Sequence, residues 1–311
     1  MVLTRFAAPW FLGSWLLFLL PLAGCGSGIV DDCSAFASCA TVVPQTGNPV
    51  VAVPGPAPTP APAPNPDPDP KPVPAPTPLP VWVNGFTWIG QSADTGVHQG
   101  YATDGADAHY FFDTGALFKS SSYLQNTPVT ANYSPLIDGT NHMGDGAYYA
   151  GKIYDIVENW QGCGAPPSRA AIVVYDAQTL KRLSFTDITM NHHETSSITI
   201  LPETNEAVVT SYCDGTKLFV YSLANFQLTR TIPLPIPIAL IQGVTYNGGF
   251  LYLVEHYGGL YGLRLADGEE RKLHQAPFFG EYEGLDFKNG DLRWLINRSD
   301  GQHILNLYVP N

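Results

Sequence analysis

The sequence predicts an all-β domain that is built from a repeated unit, and three observations lead to this interpretation. Short alternating apolar runs such as "AAIVVYD", "KLFVYSL" and "FLYLVE" dominate the second part of the chain, and alternation with a period of two indicates half-buried strands. No long stretch there places apolar residues at the three-and-four spacing of an amphipathic helix. Similar segments recur at intervals of about 40 to 50 residues, the size of a four-stranded β-propeller blade.

The repeated segments number five, and each opens with a short strand that is followed by a turn. The segments are "HQGYATDG" at His98, "HMGDGAYYAG" at His142, "HETSSITILPETN" at His193, "QGVTYNGG" at Gln242 and "YEGLDFKNG" at Tyr282. A β-sandwich would also give short strands, but it does not predict a recurring strand led by glycine. We therefore expect an all-β fold of the β-propeller type.

The two ends of the repeat array indicate how the ring closes. The fifth segment ends after three strands, whereas a lone strand near "GFTWIG", Gly85 to Gly90, precedes the first segment. We expect this N-terminal strand to complete the last blade of a five-bladed propeller that spans residues 81–311. Six blades are the alternative, if the poorly patterned stretch from Ser120 to Gly139 holds another blade.

Residues 1–24 have the layout of a cleaved export signal. Arg5 is the single charge before the apolar run "FLGSWLLFLLPLAG", and small residues precede Cys25. The motif "LAGC" that ends at Cys25 resembles the lipobox of bacterial lipoproteins. The resemblance implies that Cys25 is acylated and becomes the first residue of the mature chain, and Gly26 after it favours the outer membrane of the cell envelope. An uncleaved N-terminal helix is the alternative.

The mature chain is expected to begin with a lipidated segment, residues 25–53, and a spacer, residues 54–80. In "PGPAPTPAPAPNPDPDPKPVPAPTPLP" every second residue is proline, which fixes φ and removes the backbone donor. Neither helix nor sheet is expected there. At about 3.1 Å per residue the extended spacer would reach roughly 80 Å. A ligand for a proline-binding domain is the less favoured interpretation.

The chain contains five cysteines, and lipidation of one leaves an even number. An even remainder in an exported protein indicates disulfides rather than free thiols, and the spacings match no zinc motif. The four remaining positions are Cys33, Cys39, Cys163 and Cys213. The repeat alignment places Cys163 and Cys213 in equivalent loops of neighbouring blades, so we expect these two to pair.

A propeller brings polar residues together at one end of its channel. Strands in a blade alternate in direction, so the start of the first strand and the end of the second lie on the same face. The candidate ligand-binding residues on this rim are His98, His142, Glu158, His193, Glu194, Glu255, His256 and Glu283, and the same face gathers Gln99, Tyr212, Gln242 and Glu281. Backbone hydrogen bonding or simple solvation is the alternative role for each. Crowded carboxylates and imidazoles call for a compensating cation or substrate.

Composition and motifs exclude several function classes. The formal net charge is -12, and the absence of a basic cluster argues against nucleic acid and against anionic membrane surfaces as partners. The sequence has no "GxSxG" elbow, no "HExxH" motif, no phosphate-binding loop and no dinucleotide fingerprint. Calcium would suit the rim carboxylates and zinc the histidines. No catalytic residue can be assigned from spacing alone.

The stretch "GTNHMGDGAYYAGKIYDIVE" with the following "IVVYDAQTL" resembles the blades of olfactomedin-type domains. These are five-bladed propellers that carry calcium in the channel, so the resemblance implies five blades and calcium as a cofactor. The tripeptide "HQG" is similar to a motif of plant-type glutaminyl cyclases, which also have five blades. Function does not transfer from a fold alone.

Two functions remain open at this point. The first is a membrane-anchored extracytoplasmic protein that binds a glycan, a peptide or a protein partner at its polar rim. The second is a cation-assisted hydrolase or lyase with its active site at the channel mouth. A buried carboxylate and a histidine within hydrogen-bond reach beside a deep pocket would favour the enzyme, whereas a wide, shallow rim would favour binding.

Overall fold

The computed structural model of the chain describes residues 78–124, 129–165, 168–192, 194–277 and 279–311. These ranges contain 21 β-strands and one short 3-10 helix, Thr189–Asn191. In these same ranges no helix has the length and apolar character needed to cross a membrane. The predicted signal, Cys25, Cys33, Cys39, His193 and most of the spacer lie outside the described residues.

The strands form five antiparallel sheets, the blades of a propeller. The first strand of the described ranges is β1 (Phe86–Asp94). Blade 1 contains β2 (Gly100–Thr103), β3 (His109–Asp113), β4 (Ala116–Ser120) and β5 (Thr130–Asn132). Blade 2 contains β6 (His142–Met143), β7 (Ala147–Tyr149), β8 (Lys152–Glu158), β9 (Ala170–Asp176) and β10 (Arg182–Asp187). Blade 3 contains β11 (Ile198–Leu201), β12 (Glu206–Val209), β13 (Lys217–Ser222) and β14 (Leu228–Pro233). Blade 4 contains β15 (Ile241–Asn247), β16 (Phe250–Glu255), β17 (Gly259–Arg264) and β18 (Glu270–Gln275). Blade 5 contains β19 (Gly280–Lys288), β20 (Asp291–Arg298) and β21 (His303–Pro310).

The ring closes through the N-terminal strand, as the sequence predicts. Strand β1 pairs antiparallel with β21, from Phe86 opposite Pro310 to Asp94 opposite Ile304, and becomes the outermost strand of blade 5. The predicted five-bladed all-β propeller is therefore confirmed. The stretch considered for a sixth blade contributes β5, the outermost strand of blade 1.

The central strands are buried on both faces because each blade packs between two neighbours. In β9, Ile172 and Val174 contribute to an apolar cluster shared with blade 3, whereas Val173 and Tyr175 contribute to one shared with blade 1. A strand in this position can be apolar throughout its length. This explains why "AAIVVYD" is a continuous apolar run rather than a strict alternation.

The chain that leads into β1 is fastened to blade 4. The Nε1 atom of Trp82 donates a hydrogen bond of 3.0 Å to Oε2 of Glu269. The guanidinium groups of Arg264 and Arg271 lie 5.4 and 4.6 Å from the centre of the indole ring, a cation–π arrangement. Arg264 also donates a hydrogen bond of 3.3 Å to the carbonyl oxygen of Pro80. Pro80 and Trp82 therefore have a fixed position on blade 4.

One buried side chain of blade 2 takes no part in apolar packing. Asp155 lies in β8 between Ile153 and Val157, which belong to the core shared with blade 1. It is fully buried, and neither carboxylate oxygen has a hydrogen-bond partner of good geometry among the described residues. Burial raises the pKa of this carboxyl well above its ordinary value, and the backbone of Ile156 offsets only part of that effect.

We expect Asp155 to make the protein less stable as the pH rises. Below a pH of about 4 the carboxyl is protonated in both the folded and the unfolded chain. Above it, the unfolded chain loses this proton while the folded chain keeps it. The free energy of unfolding therefore falls by about 1.4 kcal/mol per pH unit until the raised folded pKa is reached. Urea unfolding across pH should show a shallower decline for Asp155→Asn.

The exposed Asp138 offers a matched control for this measurement. Asp138→Asn makes the same chemical change at the surface and should keep the wild-type dependence of stability on pH. Identical slopes for the wild type and Asp155→Asn would show that the buried carboxyl does not act in this way.

Candidate functional site

The inner strands of four blades meet at Asp145, which lies between β6 and β7 and is fully buried. Its Oδ1 atom accepts a hydrogen bond of 3.0 Å from the backbone N–H of Tyr101, and Oδ2 accepts one of 3.3 Å from the N–H of Leu285. Its own N–H donates to the carbonyl oxygen of Ser196 at 2.9 Å. This carboxyl therefore connects blades 1, 2, 3 and 5 around the channel.

The glycines that lead the inner strands are explained by this packing. A Cβ atom on Gly100 or Gly284 would overlap the carboxylate of Asp145. Both glycines therefore allow the inner strands to approach the centre closely. The recurring "QG" and "EG" pairs place a long polar side chain, Gln99 or Glu283, directly before such a glycine.

A cavity of about 190 Å³ opens at the channel mouth. This is the end of the ring at which the first, inner strand of each blade begins and the second strand ends. Residues at the start of inner strands line it: Gln99, His142, Thr195, Gln242, Glu281 and Glu283. Three more lie at or just beyond the ends of second strands: Glu158, Trp160 and Tyr212. The sequence predicts this face, and the cavity shows that its polar side chains converge on one pocket.

Glu283 is the most deeply buried acid of the mouth pocket, with an exposed fraction of 2%. Its Oε1 atom accepts a hydrogen bond of 2.9 Å from Nδ2 of Asn297. Burial raises the pKa of this carboxyl well above its ordinary value, and the nearby carboxyls of Glu281 and Asp145 raise it further. Both effects favour the neutral, protonated form of Glu283.

Glu281 lies two residues earlier on the same strand and has the opposite tendency. Its Oε1 atom lies 2.9 Å from Nδ1 of His256 and accepts a hydrogen bond of 2.8 Å from Nε2 of Gln242. The hydrogen bond from His256 lowers the pKa of Glu281, against the effect of burial. Glu281 thus tends towards the carboxylate and Glu283 towards the neutral carboxylic acid, and a hydrogen bond joins the two side chains.

The opposite wall of the pocket contains polar atoms that a ligand could satisfy. Glu158 is buried, and its Oε2 atom accepts a hydrogen bond of 2.9 Å from the N–H of Thr195. Its Oε1 atom lies 3.6 Å from Nδ1 of His142. Among the described residues, neither Nδ1 of His142 nor Oγ1 of Thr195 has a hydrogen-bond partner. Buried polar groups are normally paired, and these two atoms at the pocket are available to a bound molecule.

Two aromatic rings form the side of the pocket and are joined covalently through their loops. The rings of Trp160 and Tyr212 meet edge to face at 5.5 Å. Cys163, in the loop after β8, forms a disulfide with Cys213, in the loop after β12. The Cα atoms are 5.6 Å apart, an ordinary separation for a disulfide. The predicted pairing is confirmed, and it links the loops of blades 2 and 3.

Glu194 supports this wall from behind instead of lining the cavity. Its carboxylate accepts hydrogen bonds from the backbone N–H groups of Tyr212 and Cys213, at 2.7 and 2.9 Å, and from the hydroxyl of Ser211. Three donors from one loop converge on one buried carboxylate. The loop that carries Tyr212 is therefore held in place by both the carboxylate and the disulfide.

The remaining predicted rim residues have other surroundings. His98 lies outside the cavity lining, with Nδ1 2.9 Å from Oδ1 of Asp113. Glu255 also lies outside it, and its carboxylate accepts the N–H of Gly259 at 3.0 Å within its own blade. His256 contacts the pocket through Glu281, as described above.

Three lining residues are missing from the sequence prediction: Trp160, Thr195 and Ser196. Trp160 follows β8 as Tyr212 follows β12, so the alignment of second-strand ends could have identified it. Thr195 follows Glu194 directly, but short hydroxyl side chains give no periodic signal. Across the described ranges, no group of three or more His, Cys, Asp or Glu side chains is arranged to hold a metal ion, and the expected calcium stays a prediction.

The fold and the site together define a five-bladed β-propeller with an acidic, aromatic-walled pocket at its channel mouth. Comparison with solved structures gives the same fold. The structure of Myxococcus xanthus glutaminyl cyclase is 12% identical, with a TM-score of 0.54, and covers 73% of this chain and 97% of its own. A luciferin-regenerating enzyme is 11% identical, with a TM-score of 0.50, and covers 75% of this chain and 95% of its own. No protein family matches the sequence, and no curated protein matches it.

Proposed function

We propose that the propeller is an enzyme that uses general acid–base catalysis on a small, amine-bearing substrate bound in the mouth pocket. The observation that carries this proposal is the Glu281–Glu283 pair. Neighbouring carboxyls whose pKa values are moved in opposite directions are typical of sites that need one acid and one base. Ligand binding alone, the other function expected from the sequence, does not require one carboxyl to act as an acid and its neighbour as a base.

The pocket favours a substrate with a positive or amine group. Among the described residues that line it there is no Lys or Arg, whereas Glu281 supplies a carboxylate and Trp160 an aromatic wall. Its volume of about 190 Å³ is below the roughly 300–1,000 Å³ of sites for drug-sized ligands. One amino-acid residue at the end of a peptide is a substrate of suitable size and charge.

The solved neighbour from Myxococcus xanthus is a glutaminyl cyclase, and a glutaminyl residue agrees with this pocket. We therefore propose cyclisation of an N-terminal glutaminyl residue as the reaction. The α-amine forms a bond to the side-chain carboxamide carbon, the bond from that carbon to the amide nitrogen breaks, and ammonia leaves. Oγ1 of Thr195, which lacks a partner among the described residues, can donate to the carboxamide oxygen.

The two carboxyls supply the proton transfers of this reaction. Glu281 accepts the proton that the attacking amine loses, and Glu283 donates its proton to the departing nitrogen. After these two transfers Glu281 is protonated and Glu283 is ionised. Because their side chains share a hydrogen bond, a proton passes from Glu281 to Glu283 and restores the pair. The cycle consumes no other reactant, and product and ammonia carry all the atoms of the substrate.

An assay for loss of ammonia from glutaminyl peptides tests the catalytic proposal. The mature wild-type chain should convert the peptide to its cyclic product, followed by mass spectrometry. Glu283→Gln should lower kcat/KM by about 10²- to 10⁴-fold, the usual effect of removing a general acid. Glu203→Gln is the matched control, because Glu203 is exposed in the turn between β11 and β12, at the other end of its blade. Turnover by Glu283→Gln at the wild-type rate would rule out the acid role.

We also propose that Cys25 is lipidated and holds the protein in the cell envelope, at the outer membrane. The support for this proposal is the "LAGC" motif after the apolar run, followed by Gly26. Cys25→Ser should abolish incorporation of labelled fatty acid and leave the precursor uncleaved. Continued labelling of Cys25→Ser would disprove the assignment of the acylation site.

A further inference from the structure

Asn297, at the end of β20, uses all of its hydrogen-bonding groups next to Glu283. Its Nδ2 atom donates to Oε1 of Glu283 at 2.9 Å and to the backbone oxygen of His98 at 2.8 Å. Its Oδ1 atom lies 2.9 Å from Nδ1 of His303. A side-chain amide has two N–H donors and one carbonyl acceptor, so both donors are occupied and the acceptor has its own partner.

These contacts leave only one orientation for the amide. If the amide were turned over, its carbonyl oxygen would face the backbone oxygen of His98, which can only accept a hydrogen bond. Burial lowers the pKa of His303, which favours a neutral ring at neutral pH. A neutral ring with its proton on Nδ1 donates to Oδ1 of Asn297 and keeps the amide in place.

We infer that Asn297 is a positioning residue that keeps Oε1 of Glu283 as an acceptor, so that Oε2 carries the proton that this carboxyl delivers in the pocket. The inference rests on the acid role proposed for Glu283. The N–H of Asn297 occupies the side of Oε1 that faces it, so a proton on Oε1 would compete with this hydrogen bond. The acidic proton of Glu283 is therefore placed on Oε2. A carboxyl without this donor could carry its proton on either oxygen.

The charged and titratable groups around Glu283 allow the effect to be isolated. Glu281 on the same strand and Asp145 at the channel centre both favour the protonated form, whereas the hydrogen bond from Asn297 favours the ionised form. His98 faces Asn297 with a backbone oxygen and does not add a charge at that contact. Removal of the Asn297 amide should therefore raise the pKa of Glu283 still further.

Infrared titration of the carboxyl band tests this inference without any substrate. The band of protonated Glu283 is identified in the full chain as the one that Glu283→Gln lacks. Asn297→Ala should raise its titration midpoint by about one pH unit, the effect of losing a hydrogen bond to an ionised carboxylate. Asn297→Ser, whose hydroxyl can still donate, should give a smaller rise and serves if the alanine variant does not fold. An unchanged midpoint in the folded variants would overturn the inference.

Two comparisons separate this inference from the proposed reaction. Asn306→Ala is the matched control, because Asn306 lies on the next strand and accepts a hydrogen bond from Trp88 instead; its midpoint should equal that of the wild type. In the cyclisation assay, the alkaline limb of the kcat/KM profile of Asn297→Ala should move upward by the same amount as the infrared midpoint. If wild-type protein forms no cyclic product, the proposed reaction fails, while the infrared midpoints still decide the role of Asn297.

Discussion

Deletion of residues 86–94 is expected to abolish folding of the propeller. The deletion removes β1, so β21 loses its outer antiparallel partner, keeps only β20, and becomes an exposed edge in blade 5. It also removes Phe86, which is buried in the core with Tyr252 and Trp294. Loss of one buried phenylalanine ring alone costs about 3–5 kcal/mol, and a domain has only about 5–15 kcal/mol in total. Circular dichroism and size-exclusion chromatography should show an unfolded or aggregated chain.

A deletion of residues 54–77 is the control for this experiment. It removes a longer piece of the N-terminal region but retains Trp82, β1 and every strand of the five blades. This variant should keep the wild-type spectrum and elution volume. A folded monomer from the variant without β1 would mean that the ring does not depend on the closing strand.

Reduction of the Cys163–Cys213 disulfide is expected to have the second largest effect. The two cysteines are separated by 50 residues, and a closed loop of this size restricts the unfolded chain by about 4 kcal/mol. For a domain of this size the corresponding fall in Tm is roughly 8–16 °C. Loss of the disulfide should also make the aromatic wall of the pocket less well fixed, because Trp160 and Tyr212 lie on the two loops that the disulfide joins. For the proposed cyclisation we therefore expect a higher KM with a smaller change in kcat.

The double variant Cys163→Ser/Cys213→Ser separates this disulfide from other effects of reducing agent. It should melt at the temperature of the reduced wild type and show no further decrease when reductant is added. Peptide mapping of the oxidised wild type should recover the two cysteines in one disulfide-linked peptide pair. Free thiols at both positions in folded protein would be incompatible with the disulfide and with the expected stability.

The sequence predicts the ring better than it predicts the pocket, and the reason is physical. Repeats, strand periodicity and the unpaired N-terminal strand all depend on backbone pattern, which the sequence displays directly. The direction of a side chain at the start of a loop, in contrast, depends on which hydrogen-bond donors lie near it in the folded structure. Glu255 is the last residue of its strand, as Glu158 is. Its carboxylate accepts the N–H of Gly259, whereas that of Glu158 accepts the N–H of Thr195 from the next blade.

Burial is a second property that the pattern does not contain. The local sequences "GDG" around Asp145 and "YDI" around Asp155 would also suit an aspartate in a solvated turn or on an exposed strand edge. The structure buries both side chains fully. Backbone N–H donors surround Asp145, whereas Asp155 lies among apolar side chains. The contrast between Glu281 and Glu283 likewise depends on His256, Gln242 and Asp145, which come from other blades.

The fastening of Trp82 to blade 4 has a mechanical consequence. Strand β1 begins four residues after Trp82, and its first pair, Phe86 with Pro310, would be the first to part if a pulling force reached it directly. A force that arrives through the residues before Trp82 instead meets the contacts of Trp82 with Glu269 and Arg271. The load is then shared between blades 4 and 5, and the first pair of the closing strand is protected from being pulled apart directly.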